Sequence, residues 1–117
     1  MSGKMTKERL EKLPALNREI ERISRRITAL EDKNSKACRS VKALRTAREA
    51  LESYTEKANE EAAELVQYIE TIEDPGVREI FMLRYYDGIR SWQRIAFLVG
   101  EHDESYVRRK HNDYLQR

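Results

Sequence analysis

Backbone breakers are scarce in this sequence: its 117 residues contain only four glycines and two prolines. Aromatic residues make up 8%, and Cys38 is the single cysteine. Each shortage excludes something. One cysteine cannot close an internal disulfide, so a reducing, cytoplasmic compartment is expected. One cysteine with two separated histidines, His102 and His111, does not supply a closed Cys/His zinc site, and no metal or other cofactor is expected. No apolar run approaches the roughly 20 residues needed to span a bilayer, and the opening MSGKMTKERL has no signal-peptide core, so no membrane association is expected. Charge of one sign is also in short supply, since the formal net charge is only +2. What is present is Glu, Lys, Arg, Ala and Leu, the composition of long helices, with 38% of residues charged.

Ala15 to Asp74 lies between the two prolines, Pro14 and Pro75, and contains neither Gly nor Pro. With Leu13 as position a of a heptad, the a series is Leu13, Ile20, Ile27, Asn34, Val41, Arg48, Thr55, Ala62 and Ile69. The d series is Leu16, Ile23, Leu30, Ala37, Leu44, Leu51, Ala58, Leu65 and Ile72. Every d position is apolar, and three a positions are not. A 3.5-residue repeat of this kind marks a helix-on-helix seam. The partner is either another chain or this chain folded back through Glu31–Lys36; Asn34 fits a register-setting polar a residue or the polar turn of a hairpin. Charge separates parallel from antiparallel pairing. Residues 1–48 carry +8 and residues 49–74 carry −8, so antiparallel pairing brings opposite signs together. Lys33, Lys36, Arg39, Lys42, Arg45 and Arg48 recur at every third residue. A step of three winds back by about 60° on an α-helix, which makes them a collar, read as solvated and partly paired with the acidic segment. The expected division is a long helical coiled-coil or hairpin region over 1–73 and a separate unit over 74–117.

The last 43 residues are organised differently. Asp74-Pro75 is a helix start, with Asp as N-cap and proline at the first helical position. A first helix follows through Val77, Ile80, Phe81 and Leu83, with Gly88 expected just past its end. Ser91 caps a second helix running from Trp92 to Val99, and Gly100 ends it. Asp103 caps a third that runs to about Leu115. The spacing of the second and third helices is that of a helix-turn-helix, with small Ala96 at the expected close approach. Val107, His111 and Tyr114 form the inward face of the last helix. Ser105, Arg108, Arg109 and Asn112 form the opposite face and are groups suited to base edges and phosphates. Trp92, Phe97, Tyr85, Tyr86 and Tyr114 are expected in the core rather than as stacking platforms, and His111 is expected to be structural. Cys38, at an e position, is read as space-filling.

Residues 74–117 resemble region 4 of bacterial sigma factors through REIFMLRYYDG, SWQRIA and VRRKH followed by Leu115. The likeness is strongest to small phage and prophage proteins that carry such an end behind charged, heptad-rich helices and an MTKERL-like start. The resemblance implies an all-α chain whose last helix enters the major groove of double-stranded DNA, in a transcription regulator such as a phage activator. It also implies contact with RNA polymerase and a bacterial host cytoplasm. Carried over by position, base reading falls to Glu104, Ser105, Arg108 and Arg109, with Asn112 on the same face. Backbone contacts fall to Arg90, Ser91 and Arg94 at the start of the second helix; Lys110, outside the carried-over positions, is read as a further backbone contact. The sequence departs from the pattern in a turn one residue longer around Glu101-His102-Asp103. Lys110 stands where an aliphatic residue is usual, and Arg94 stands where an acid usually follows Ser91 by three.

The carboxylates lie on exposed helical positions without a glycine-rich phosphate loop or nucleophile–base motif, so an enzyme is not expected. The leading expectation is a sequence-specific DNA-binding regulator, dimeric through its helical region. The alternatives are a protein–protein adaptor with little DNA affinity, favoured by the near-even charge of residues 103–117, and, further off, a DNA-packaging subunit.

Overall fold

The computed structural model describes residues 5–32, 41–101 and 103–116, and every regular element among them is helical. A single turn, α1 (Lys7–Leu10), opens on Thr6, whose hydroxyl accepts from the Arg9 amide at 3.2 Å. Two long helices follow, α2 (Lys12–Glu31) and α3 (Val41–Glu70). Pro14 sits in the first turn of α2, where a missing N–H breaks no intrahelical bond. Then come α4 (Pro75–Phe81), a π-helical turn over Met82–Tyr86, α5 (Trp92–Val99) and α6 (Glu104–Leu115). None of these helices is long and apolar enough to cross a membrane. The contacts divide the chain into two compact units, Ala15–Glu60 on one side and Met1–Pro14 with Glu61–Arg117 on the other. The Asp74-Pro75 break separates two helices of the second unit.

In the Ala15–Glu60 unit the chain folds back on itself. Arg48 Nη2 lies 2.6 Å from Glu31 Oε2, and Glu19, Arg22, Ile23 and Arg26 line one groove with Ala43, Ala47, Ala50 and Tyr54. The two helices are therefore an antiparallel hairpin within one chain. Their stripes differ in phase. α2 faces inward through its a and d residues, with Ile23 and Leu30 buried and Ile20 and Ile27 half-buried. α3 keeps its d residues inward, Leu44, Leu51 and Ala58, but pairs them with the preceding g positions, Ala47 and Tyr54. Its a residues Val41, Arg48 and Thr55 face solvent, Val41 at 70% exposure. The continuous a/d seam expected from the sequence thus holds for α2 and is corrected for this part of α3. The reason is that a heptad written through a turn has no obligation to keep its phase. The second helix rotates to bring Ala43, Ala47 and Ala50 inward, where small side chains permit close approach. Of the basic collar, Lys42, Arg45 and Arg48 are exposed. Lys33, Lys36 and Arg39, like Asn34, Ala37 and Cys38, lie outside the described residues.

In the other unit the amino-terminal segment lies on the end of α3. Arg9 pairs with Glu61 at 3.8 Å and with Glu64, and Lys12 pairs with Glu61 at 3.4 Å. These join the basic and acidic stretches as their charges require, although ion pairs still open to solvent are each worth only about 0–1 kcal/mol. Leu10, Leu13, Leu65, Ile69 and Ile72 supply the apolar burial.

The caps of the last three helices follow the sequence. The Asp74 carboxylate accepts from the amides of Gly76 (2.8 Å) and Val77 (3.4 Å), with proline at the first helical position. Ser91 Oγ accepts from the Arg94 amide at 3.2 Å, and Asp103 accepts from the Ser105 amide at 2.9 Å. α5 ends in a Schellman turn: the amide of Glu101 bonds the carbonyl of Ala96 at 2.8 Å, and Gly100 carries φ 83°. Nothing lies within 4 Å of a Cβ built on Gly100, so the demand for glycine there comes from the backbone angle alone. Ile80, Ile95, Ala96 and Val107 form the core of the three helices, with Leu83, Ile89, Trp92 and Val99 around it.

Candidate nucleic-acid interface

α6 presents two opposed faces. Val107 and His111 are buried, Tyr114 is half-buried, and Ser105, Arg109 and Asn112 are exposed on the other side. At 100° per residue, Ser105, Arg109 and Asn112 span about 60° of arc directly opposite the Val107–His111 stripe. The Asp103 cap fixes where this face begins. Glu104 and Arg108 sit on one flank and form an i,i+4 ion pair at 3.6 Å. Lys110 lies on the other flank, with its ammonium 4.0 Å from Asp74 Oδ2 and 5.5 Å from the Tyr106 ring centre. It is turned toward the start of α4 and away from the face of Ser105, Arg109 and Asn112. Arg90, Ser91 and Arg94 are exposed at the start of α5. Of the backbone candidates, these three are grouped by the fold and Lys110 is not. His102 lies outside the described residues.

Behind this face is an aromatic cluster. Phe81 has no exposed surface, and its ring lies 5.0 Å from His111, 5.6 Å from Tyr85, 5.4 Å from Tyr114 and 6.4 Å from Tyr68, centre to centre. Trp92 packs 4.8 Å from His111, and the Arg84 guanidinium lies 4.2 Å over the Trp92 ring while donating to the Arg90 carbonyl. The π-helical turn makes room for this. Its wide bond from the Asp87 amide to the Met82 carbonyl, 2.9 Å, inserts one residue and leaves Tyr85 inward and Tyr86 outward. An uninterrupted α-helix to Leu83 and beyond was the simpler expectation, and one side chain of the adjacent tyrosines had to leave the core. Phe97 leaves it too: it is 80% exposed, with Leu98 exposed beside it. α5 is only two turns long and buries Trp92, Ile95, Ala96 and Val99 on one side. Phe97 falls on the other side with Gln93 and Arg94.

His111 is 1% exposed, and its Nε2 lies 2.5 Å from the Tyr85 hydroxyl, while Nδ1 lies 2.9 Å from Asn112 Oδ1. Burial pushes the Tyr85 phenol up to about 12, so it remains a proton donor. Burial also holds His111 below the ordinary imidazole value, against the Asn112 hydrogen bond that favours its charged form; Arg84 and Lys7 add to the lowering and Glu11 opposes it. The consequence for stability has a definite sign. Above about pH 6.5 the imidazole is neutral in both folded and unfolded chains and costs nothing. Below it the unfolded chain takes up a proton that the folded chain resists, so stability falls as pH drops toward the folded value. Urea unfolding at pH 7.5 and 5.5 should show lower stability at the acid end, and a His111→Gln variant should show a flatter profile. A slope of equal size in both would assign the effect to other groups.

Sequence reasoning found the inward place of His111 but missed its hydrogen-bonding partners and the Arg84–Trp92 stack. Only the position of Arg84, eight residues before Trp92 across a glycine turn, hints at the latter. Among the described residues no group of three or more His, Cys, Asp or Glu side chains is placed to hold a metal ion. No family model, curated protein or solved structure matches the chain.

Proposed function

We propose that the chain is a sequence-specific double-stranded DNA-binding regulator of transcription, of the sigma-region-4-like kind found in phage and prophage regulators. In this reading α5, the Gly100 turn and α6 form a helix-turn-helix and α6 lies in the major groove. Ser105, Arg109 and Asn112 face the bases, with Glu104 and Arg108 on the flank. Arg90, Ser91 and Arg94 hold the phosphate backbone, and Lys110 reaches it only by leaving Asp74. The hairpin is the dimerising part, the setting is a bacterial cytoplasm, no catalysis is involved, and RNA polymerase is a second partner. The observation that carries the reading is the outward face of α6. Three groups able to donate hydrogen bonds, with no apolar residue among them, stand on a capped helix braced from behind by a buried core.

The test is selection of random duplex DNA, with sequencing, on protein whose mass in solution has been measured. A recovered palindrome means a symmetric dimer, and a single asymmetric element means a monomer acting beside polymerase. Failure to enrich any sequence overturns the proposal, and a mass of eight or more chains would favour a packaging subunit.

A second reading, an adaptor that binds RNA polymerase or another regulator, has its own observation: the exposed Phe97 and Leu98 on the outward side of α5. Retention of polymerase at salt that abolishes DNA binding, lost in Phe97→Ala, would select it.

A further inference from the structure

A directional chain of hydrogen bonds runs from the π-helical turn to the outward face of α6. It begins at the Tyr85 hydroxyl within that turn. Tyr85 is 1% exposed, so its own O–H needs an acceptor, and His111 Nε2 is 2.5 Å away. If Nε2 carried the proton, it would donate to the phenol oxygen and the phenol's own hydrogen would be buried without an acceptor, at real cost. Nε2 is therefore the acceptor and Nδ1 carries the proton. Nδ1–H then donates to Asn112 Oδ1 at 2.9 Å. A free asparagine turns its amide over readily and presents either end. Here the oxygen is anchored beside the helix, and the NH2 group is the end left for a ligand.

We propose that Asn112 is a specificity-determining residue and that Tyr85 and His111 are its positioning residues, holding its amide so that it reads hydrogen-bond acceptors on base edges. The proposal rests on the reading of α6 as the helix in the major groove. There guanine offers N7 and O6, adenine N7 and thymine O4, whereas cytosine offers only its N4 amino donor. Asn112 with its amide fixed in this way rejects cytosine at one position of the site and accepts the other three bases.

Two measurements test this. In the free protein, nitrogen chemical shifts of His111 should show Nδ1 protonated and Nε2 bare; the opposite tautomer overturns the chain. Random-duplex selection should show one position at which wild type depletes cytosine about tenfold. Asn112→Ala should restore cytosine there, and Tyr85→Phe, which removes the donor to Nε2, should restore it while leaving other positions unchanged. A Tyr85→Phe profile identical to wild type overturns the positioning role. An Asn112→Ala loss of affinity uniform over all sequences overturns base reading and identifies a phosphate contact. If Arg109→Ala relaxes the site while both Asn112→Ala and Tyr85→Phe leave it intact, the major-groove reading stands and this inference falls. If no duplex is enriched by wild type, both fall.

Discussion

Phe81→Ala should cost about 3–5 kcal/mol of unfolding free energy, the range for deleting a fully buried phenyl ring. The cost is set by what surrounds it. Rings of Tyr68, Tyr85, His111 and Tyr114 all lie within 6.4 Å of its centre. They come from α3, the π-helical turn and α6, so no single side chain can move to fill the space. Edge and tilted ring contacts are lost together with the apolar area. Domains of this size are stable by only about 5–15 kcal/mol, so the variant should unfold on the order of 15 °C or more below wild type. Phe97→Ala removes the same atoms from an exposed site and should stay within about 0.5 kcal/mol. Thermal and urea unfolding of the two variants side by side checks the pair. A loss at Phe81 below 1 kcal/mol would mean that the aromatic cluster does not hold the three helices together.

Arg109→Ala should weaken binding to a selected duplex by about 1–3 kcal/mol and relax the preference at one base, as expected for removal of a bidentate contact to guanine. Arg109 stands opposite the buried Val107–His111 stripe and so would point most directly into the groove in the proposed placement of α6. Arg108 already shares its guanidinium with Glu104 at 3.6 Å, so its removal should cost less. Arg94→Ala should act differently. A phosphate contact at the start of α5 is sequence-independent, so affinity should fall evenly over all duplexes and the salt slope should shrink by about one. Fluorescence anisotropy on matched and single-mismatch duplexes over a salt series separates these. An even loss in Arg109→Ala would place that residue on the backbone instead of a base.

Local chemistry was the most legible part of the sequence. The Asp74, Ser91 and Asp103 caps, the glycine ending α5 and the extent of α6 are written in residue types whose preferences act over one turn. The d positions of the long helices and the opposition of charge along them were also readable, because period and sign survive tertiary context. The phase of α3 was not. A heptad count passes silently through the turn, and only the three-dimensional pairing shows that Val41, Arg48 and Thr55 face outward. Tyr86 and Phe97 illustrate a second limit: aromatic identity argues for burial, but a two-turn helix has one inward side and the π-helical turn has room for one tyrosine. The site was partly legible. Its outward residues follow from helical periodicity, while the Tyr85–His111 bond joins residues 26 apart and left no mark in the pattern. Lys110 was assigned by its charge, and its position toward Asp74 depends on where α4 starts.

The ion pairs along the long helices also order the events of folding. Glu31 and Arg48 are separated by 17 residues, whereas Arg9 and Glu64 are about 55 apart. Loop-closure entropy makes the longer closure costlier by about 1 kcal/mol, before any burial repays it. The hairpin can therefore zip from its turn on local contacts alone. The amino-terminal turn reaches Glu61 and Glu64 only by closing the longer loop. Capture of the amino-terminal turn therefore waits on the far end of α3, and α1 is expected to close its unit rather than start it.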